Sequence, residues 1–465
     1  MERRFEVRRQ QLLADAEVGD DLFRDVLGEL RVFLDAVVDR LRRPEQRANA
    51  RMYVEGLLSN LPRKNVESVA YLHDRPRDGL QAFIGHSPWD HAPLLTELAT
   101  QVGTQLGEPD GVLVFDPSSF PKKGIESVGV QRQWCGRLGK IENCQMGVYM
   151  AYASRKEFAL VNVRLYLPKA WTSNRRRCRK CHVPKNVSFA IRQQLALDML
   201  KEQGHLLPHA WIAGDEEMGR SSGFRGDLRE LNERYLLAVP SNTLVRVQEE
   251  ESGASAKKSG SSKAEFVRVD AWARSLKSDA WKTVHVRDGE KGPLTVKIVA
   301  APVVAKTDRR RRHASEILVV IRRRDERGET LTDYYLSNAD ASTELAEFAR
   351  VAKAEHRIED CFKRCKSEAG LADYEVRTWQ GWHHHQTLSL IAAWFLTEQT
   401  RRGKNTGTGT DAPASSIRLC GAPAPGTSLQ RSGVHRSQYH ASPPTKRTRT
   451  LLPLETTQTL GPTTR

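Results

Sequence analysis

Two short apolar runs in this chain each end on an aspartate, GVLVFD at Asp116 and WIAGD at Asp215. Runs of this length and apolar content read as strands, and Asp commonly begins the turn that follows one. A third acid, Glu359, falls inside STELAEFARVAKAEHRIEDCFKRCK, whose apolar residues recur at helical spacing. A fold that satisfies all three segments is α/β, with a carboxylate at each of two strand ends and a third on a later helix.

The rest of the chain is ordered around these acids. Before them, LLADAEV, DLFRDVLGELRVFLDAVVDRL and ARMYVEGLLSNL carry apolar residues three and four apart, which predicts an N-terminal helical domain over 1–105. DNA-end recognition and an ordinary packed bundle are both open for it. From Gly111 the period changes. VLVF, MGVYMAYA and FALVNVRLYLP read as strands, SFAIRQQLALDMLKEQ as a helix, and YLLAVP as a further strand, giving the first part of a catalytic core over 106–240. Between Asp215 and Glu359 lie 143 residues, more than one strand and one helix can use. After the polar loop EEESGASAKKSGSSKAE, the segments VHVRD, LTVKIVAAPVVAK, SEILVVIRRR and TDYYLSN predict a β-rich insertion over 241–340. A helical part of the core follows over 341–400. From Arg401 the chain is a basic, low-complexity tail, 401–465, with ten basic and two acidic residues and Tyr439 its only aromatic. Such a composition buries too little apolar surface to order itself.

Carboxylates from separate elements suit one chemistry in particular. Mg²⁺ takes hard oxygen ligands, and a pair of such ions activates the attacking oxygen and stabilises the leaving oxygen of an in-line displacement. DNA cutting and joining is therefore the leading functional reading. The formal charge of +16 agrees with a polyanionic partner, and Arg outnumbers Lys 51 to 22, which favours bidentate phosphate contacts. Lys122 and Lys123, in the turn SSFPKKG just after Asp116, are placed to meet a phosphate. No GxxxxGK[ST] loop is present, so ATP-driven activity has no support. The N-terminus has no apolar h-region and no stretch approaches a membrane span, so a cytoplasmic protein without a membrane partner is expected. Seven scattered cysteines make no disulfide framework, and Cys178, Cys181 and His182 form a CxxCH that lacks a second half. The run His383, His384, His385 is set on a helix, where neighbours point about 100° apart and cannot readily converge on one ion. Trp272 and Trp281, in the insertion, could stack an unpaired base, although packing the insertion is the simpler role.

Three blocks, VFDPSSFPKKGIESVGVQRQWCGRLGKIENCQMGVYMAYAS, WIAGDEEMGRSSGFRGDLRELNERYLLAVPSN and HRIEDCFKRCKSEAGLADYEVRTWQGWHHHQTLSLIAAW, resemble in order the catalytic blocks of DDE transposases of bacterial insertion sequences. The likeness is to the insertion-sequence-seven-oh-one group, related to the insertion-sequence-four group, and runs from about Arg51 to about Thr397. It implies an RNase H-like catalytic core interrupted by the β-rich insertion. It also implies Asp116, Asp215 and Glu359 as the catalytic and metal-binding triad, two Mg²⁺ or Mn²⁺ ions, and double-stranded DNA, transposon ends and target, as the partner of a homodimer. In such families the insertion contacts the cleaved DNA end, a role that Arg309, Arg310, Arg311, Arg322 and Arg323 would suit. A solvated hairpin rim would account for the same charges. The related signature has a Tyr and an Arg ahead of its Glu and a Lys after it; here those positions are Ala352, Glu355 and Lys366. Arg357 is the nearby substitute for the missing cation. Lys366 lies within about 20° of Glu359 around a helix and Glu355 about 40° away, whereas Glu368 faces the opposite side. A structure-selective nuclease that does not join ends, and an inactive DNA-binding remnant, are the alternatives.

Overall fold

The computed structural model describes residues 26–248, 265–289, 292–307, 314–324 and 328–405. Arg309, Arg310 and Arg311, most of the Ser/Gly/Lys-rich loop, and the low-complexity tail beyond Asn405 lie outside the described residues. One mixed sheet organises the rest. β1 (Val112–Pro121) carries the GVLVFD segment and is followed by a hairpin of β2 (Gln131–Cys135) and β3 (Lys140–Ala153), then by β4 (Phe158–Leu165). β3 pairs antiparallel with both β1 and β4. On the other side of β1, β5 (Trp211–Gly214) and β6 (Tyr235–Ala238) are added in parallel. The order across this part is β4-β3-β1-β5-β6. Parallel neighbours need a crossover, and the helical segments that precede β5 and β6 supply it.

The same sheet continues past β6. β7 (Leu244–Val247), β8 (Val267–Arg268), β9 (Lys282–Gly289), β10 (Gly292–Ala305), β11 (Ser315–Arg324) and β12 (Thr330–Ser337) follow in the chain, and β12 returns to pair antiparallel with β6. From there the order is β12-β11-β10-β7-β8, with β9 on β10. This segment has a small core of its own, in which Val245, Val269, Leu318 and Leu336 pack with Trp281. Trp272 packs against the same cluster, and the Arg322 guanidinium lies over the Trp281 ring at 3.8 Å. Packing is thus the role in which both tryptophans are found.

Among the described residues five helices precede the sheet: α1 (Val26–Val38), α2 (Pro44–Leu58), α3 (Val66–Leu72), α4 (Arg77–Gly85) and α5 (Ala92–Leu106). The short α6 (Lys169–Thr172) and α7 (Arg175–Lys180), then α8 (Arg192–Gln203), lie between β4 and β5; α9 (Glu216–Arg220) and α10 (Ser222–Glu230) lie between β5 and β6. α11 (Val269–Ser275) belongs to the β-rich segment, and two long helices end the described chain, α12 (Leu345–Glu368) and α13 (Trp379–Asn405). α13 is buried on every side from Trp382 to Glu398, as befits a helix between two layers. One side meets β4 and the other meets α2, α4 and α5, so the N-terminal helices share a single apolar core with the sheet.

The three consecutive histidines serve that packing. Tyr53 donates its hydroxyl proton toward Nδ1 of His385 at 2.8 Å, while Nε2 of His385 faces the Gly370 carbonyl at 3.1 Å. His384 stacks on Trp89 at 3.6 Å between the carbonyls of Ile84 and Trp89, and His383 bonds the Trp379 carbonyl one turn back at 2.9 Å. Their rings point in three directions.

A buried ion cluster fastens the β-rich segment to the core. Glu316 on β11 accepts from Arg225 Nε at 2.8 Å and Arg229 at 2.9 Å, both on α10, and from the Tyr235 hydroxyl at 2.6 Å. Arg225 also donates to the Gly219 carbonyl of α9. Removing one partner of a buried pair leaves the other charged and desolvated. Arg225→Ala is therefore expected to cost about 3–5 kcal/mol, seen as a lower midpoint in chemical denaturation. A midpoint unchanged from wild type would show that the cluster does not hold the two parts together.

Candidate active site

The parallel pairing of β1 with β5 sets Phe115 beside Gly214, so the next residues, Asp116 and Asp215, sit side by side at the same end of the sheet. Asp116 is still within β1, opposite Tyr149 of β3. Asp215 leaves β5 and caps α9, its Oδ1 accepting the Met218 N–H at 3.1 Å. α9 lies so close to the end of β6 that a Cβ on Gly219 would stand 1.9 Å from the Ala238 carbonyl oxygen. Across from these ends runs α12, which packs over β1 and β5 through buried residues such as Phe348, Val351 and Ile358. Three or four residues make one helical turn, so Glu355, Glu359 and Lys366 share a face. All three line a single cleft with Asp116, Asp215 and Glu217.

Crowding dominates the electrostatics of that cleft. Burial, and then repulsion from Asp215, Glu355 and Glu359, pushes the Asp116 carboxyl well above the usual carboxylate range, with Lys366 opposing the shift. Burial raises Asp215 to about 6 even though the Met218 N–H favours its charged form. Glu355 is pushed up to about 7, again chiefly by burial, with His356 working against the shift and Asp215 and Glu359 adding to it. Lys366 is held below the ordinary lysine range by burial, and its Nζ donates to Ser118 Oγ at 2.9 Å. The carboxylates gathered there, Asp116, Asp215, Glu217, Glu355 and Glu359 among them, are hard oxygen donors, the donor set that suits Mg²⁺ or Mn²⁺. Among the described residues no three His, Cys, Asp or Glu side chains are arranged to hold an ion as they stand. The fit therefore lies in donor chemistry and placement.

The other expected site residues have other neighbours. Lys122 donates to the Tyr374 carbonyl at 3.1 Å, its ammonium 3.4 Å above that ring, and burial lowers it to about 8. Lys123 is exposed on the same turn. Arg357 reaches away from the cleft toward Glu157, at 3.5 Å, and the Phe158 ring. Arg322 covers Trp281, and Arg323 pairs with Asp333 at 2.9 Å. Of the six described cations expected to meet DNA, Lys122, Lys123, Arg322, Arg323, Arg357 and Lys366, only Lys366 lines the cleft. Glu368 and Glu375 do not line it; Glu375 borders a separate hollow beside Asn65 and Arg77. The thiols of Cys178 and Cys181 donate to the carbonyls of Trp171 and Glu126. The cleft also contains residues that sequence reasoning passed over, namely Trp134, Arg137, Glu217 and Arg220. Proximity to Asp215 in sequence was the available signal for Glu217 and Arg220; Trp134 and Arg137 carried none without the hairpin register.

Comparison with known proteins defines the class. Residues 36–293 match the family described as DDE superfamily endonuclease, more than half of the chain, and the protein belongs to that family. It is 28% identical over 200 residues to the "Probable transposase for insertion sequence element IS701" of Microchaete diplosiphon, the match covering 41% of this chain and 48% of that protein. The chain thus spans about half the length of the curated relative it matches. A looser likeness links it to the "piggyBac transposase synaptic complex with hairpin DNA", with a TM-score of 0.39 and 11% identity, covering 85% of this chain and 77% of that one. Among the described residues no helix is long and apolar enough to cross a membrane.

The raised carboxyls have a consequence for stability. An acid whose folded pKa exceeds its unfolded value binds more protons when folded, so its contribution to stability is fully present below the unfolded pKa and is lost as pH rises through the folded one. With Asp215 near 6 and Glu355 near 7, metal-free protein should lose stability between about pH 4 and 7.5. Asp215→Asn and Glu355→Gln should each flatten that slope in denaturant titrations run across the range. A wild-type profile that either variant leaves unchanged would show that these carboxyls are not in conflict.

Proposed function

We propose that this protein is a DDE transposase that binds the ends of its own element as a dimer, cuts the DNA there and joins the ends to target DNA. The observation that carries the reading is the meeting in one cleft of Asp116 and Asp215 from adjacent parallel strand ends, Glu359 from α12, and Lys366 one face-repeat further along the same helix. The strand order β4-β3-β1-β5-β6, antiparallel among its first three members and parallel from β1 to β6, supports an RNase H-like core. The basic charge of the chain supports DNA as the partner.

In this reading Asp116, Asp215 and Glu359 would hold two Mg²⁺ or Mn²⁺ ions. Bound there, such ions supply the positive charge that an in-line phosphoryl displacement requires. The chain's own residues do the placing. The N–H of Met218 fixes the Asp215 carboxylate, and Ser118 holds the Lys366 ammonium beside Asp116. Lys366 then meets a non-bridging phosphate oxygen of the strand to be cut, a charge-assisted contact. Glu355 stands where the related signature has an arginine and adds a further carboxylate to the cleft.

The test uses purified full-length protein, DNA carrying the sequences that flank the gene, and Mg²⁺ or Mn²⁺. Wild type should cut at the element's ends and yield products joined to a target plasmid. Asp116→Asn, Asp215→Asn and Glu359→Gln should lose cutting by more than the roughly 10–100-fold typical of groups one step removed from a metal. DNA binding should persist in all three, and Asn at 215 keeps the helix cap. Glu368→Gln and Glu375→Gln should retain most activity. Cutting without joined products would point to a structure-selective nuclease, and binding without cutting to an inactive remnant; an active Glu359→Gln would overturn the triad.

A further inference from the structure

The β2–β3 hairpin presents an apolar pair to solvent beside the acidic cleft. Trp134 and Ile141 face each other across the ladder, and they are 59% and 60% exposed. Directly opposed residues on two strands lie within side-chain contact distance and share one face. The hairpin is built to hold them out. Its turn is a 3₁₀ segment, Gly136–Leu138, closed by Gly139 at φ +60°, a conformation that favours glycine; Cys135, which ends β2 at the turn, and Cys144, opposite Gln131 at the far end of the ladder, are buried. Leu138 at the tip is also 44% exposed. A large aromatic left in water at the mouth of a polar cleft is unusual for packing, because nothing in the described chain is gained by its exposure.

The surroundings say what could cover it. Arg132, Arg137 and Lys140 are exposed on the same hairpin, whose one acid, Glu142, pairs with Lys140 at 3.4 Å. Trp134 and Arg137 line the cleft together with Arg220 and Lys366. Arg137 is near enough to Lys366 to disfavour its charged form, so the two cations gain from an anion lying between them. Cations that follow a phosphate backbone, interleaved with an exposed aromatic ring, are the makings of a single-strand site, since every base offers a face to stack on.

We infer that the Trp134–Ile141 pair is a DNA-binding wedge that stacks on an unpaired base next to the phosphate held in the acidic cleft, with Arg137 and Lys366 on the backbone. The inference rests on the reading of the cleft as a DNA-cutting site and adds to it a preference for DNA that is locally unpaired. It also relocates the stacking role considered for Trp272 and Trp281, which are occupied in the core of the β-rich segment.

The experiment measures binding and base unstacking separately from cutting. Full-length Asp116→Asn protein, which binds without cutting, is titrated into an oligonucleotide duplex bearing one unpaired 2-aminopurine and into the same duplex fully paired. The fluorescence of the free unpaired base should change on binding, and the unpaired duplex should bind more tightly. Adding Trp134→Ala should remove that preference, a loss of about 5- to 150-fold in affinity for the unpaired duplex, while binding to the paired duplex stays nearly constant. Trp134→Phe should restore most of it, which a merely structural role would not predict, and thermal unfolding should show all variants folded. If Trp134→Ala keeps the same preference as its parent, the wedge is wrong although the cleft reading stands. If wild type with Mg²⁺ or Mn²⁺ neither binds nor cuts either duplex, both fall together. Loss of dimerisation in Trp134→Ala with unchanged DNA preference would make the pair a contact between copies of the chain, and would also overturn the inference.

Discussion

The pairing of β1 with β5 is the constraint on which the rest of this structure depends. Because the two strands run parallel and in register at Phe115 and Gly214, both apolar runs end at the same edge of the sheet and deliver Asp116 and Asp215 to one place. An antiparallel pairing would have put them at opposite ends. Parallel pairing in turn requires the chain to leave the sheet and return, which brings α8 between β4 and β5 and α9 and α10 between β5 and β6. Asp215 joins the two tasks, ending a strand and capping the helix that starts the second crossover.

Around that edge the fold collects like charge against its own electrostatic interest. Burial and repulsion from neighbouring carboxylates raise Asp116, Asp215 and Glu355, and Lys366 beside Asp116, the Met218 N–H on Asp215 and His356 beside Glu355 offset only part of this. The packing that enforces the crowding is apolar and extensive. α12 is held over β1 and β5 by its buried face, and α13 is sealed between β4 and the N-terminal helices. Hydrophobic burial over such areas outweighs a few unfavourable carboxylate contacts. The strain is stored at the sheet edge where the carboxylates gather.

The β-rich segment is coupled to the site by polar contacts of two kinds. Glu316 binds Arg225 and Arg229 in the interior, next to the helix that Asp215 caps. Nearer the surface, Arg323 pairs with Asp333, which lies 3.6 Å from His356, itself 3.3 Å from Glu355 on α12. Cations that read in the sequence as a DNA-facing stripe are thus partly spent on tying this segment to the helix that carries Glu359. Arg322 instead lies over Trp281 within the segment's own core.

Much of the fold was legible because its signals are local. Apolar run length distinguished β1 and β5 from the helices, and helical phase alone grouped Glu355, Glu359 and Lys366 on one face while turning Glu368 away. The same phase argument kept His383, His384 and His385 from being read as one metal site, and the three rings do go to different partners. What the sequence could not decide is which long side chains enter the cleft. Lys122, Arg357, Arg322 and Arg323 are flexible enough to choose among neighbours that only the folded chain assembles, and those neighbours are Tyr374, Glu157, Trp281 and Asp333. Trp134 was equally hidden, since its exposure depends on where the β2–β3 hairpin ends relative to β1. The sequence by itself determined the strands, the helices and the phase of the acids along them, because those follow from backbone periodicity. Only the tertiary structure decided which charges meet, because that depends on contacts between residues far apart in the chain.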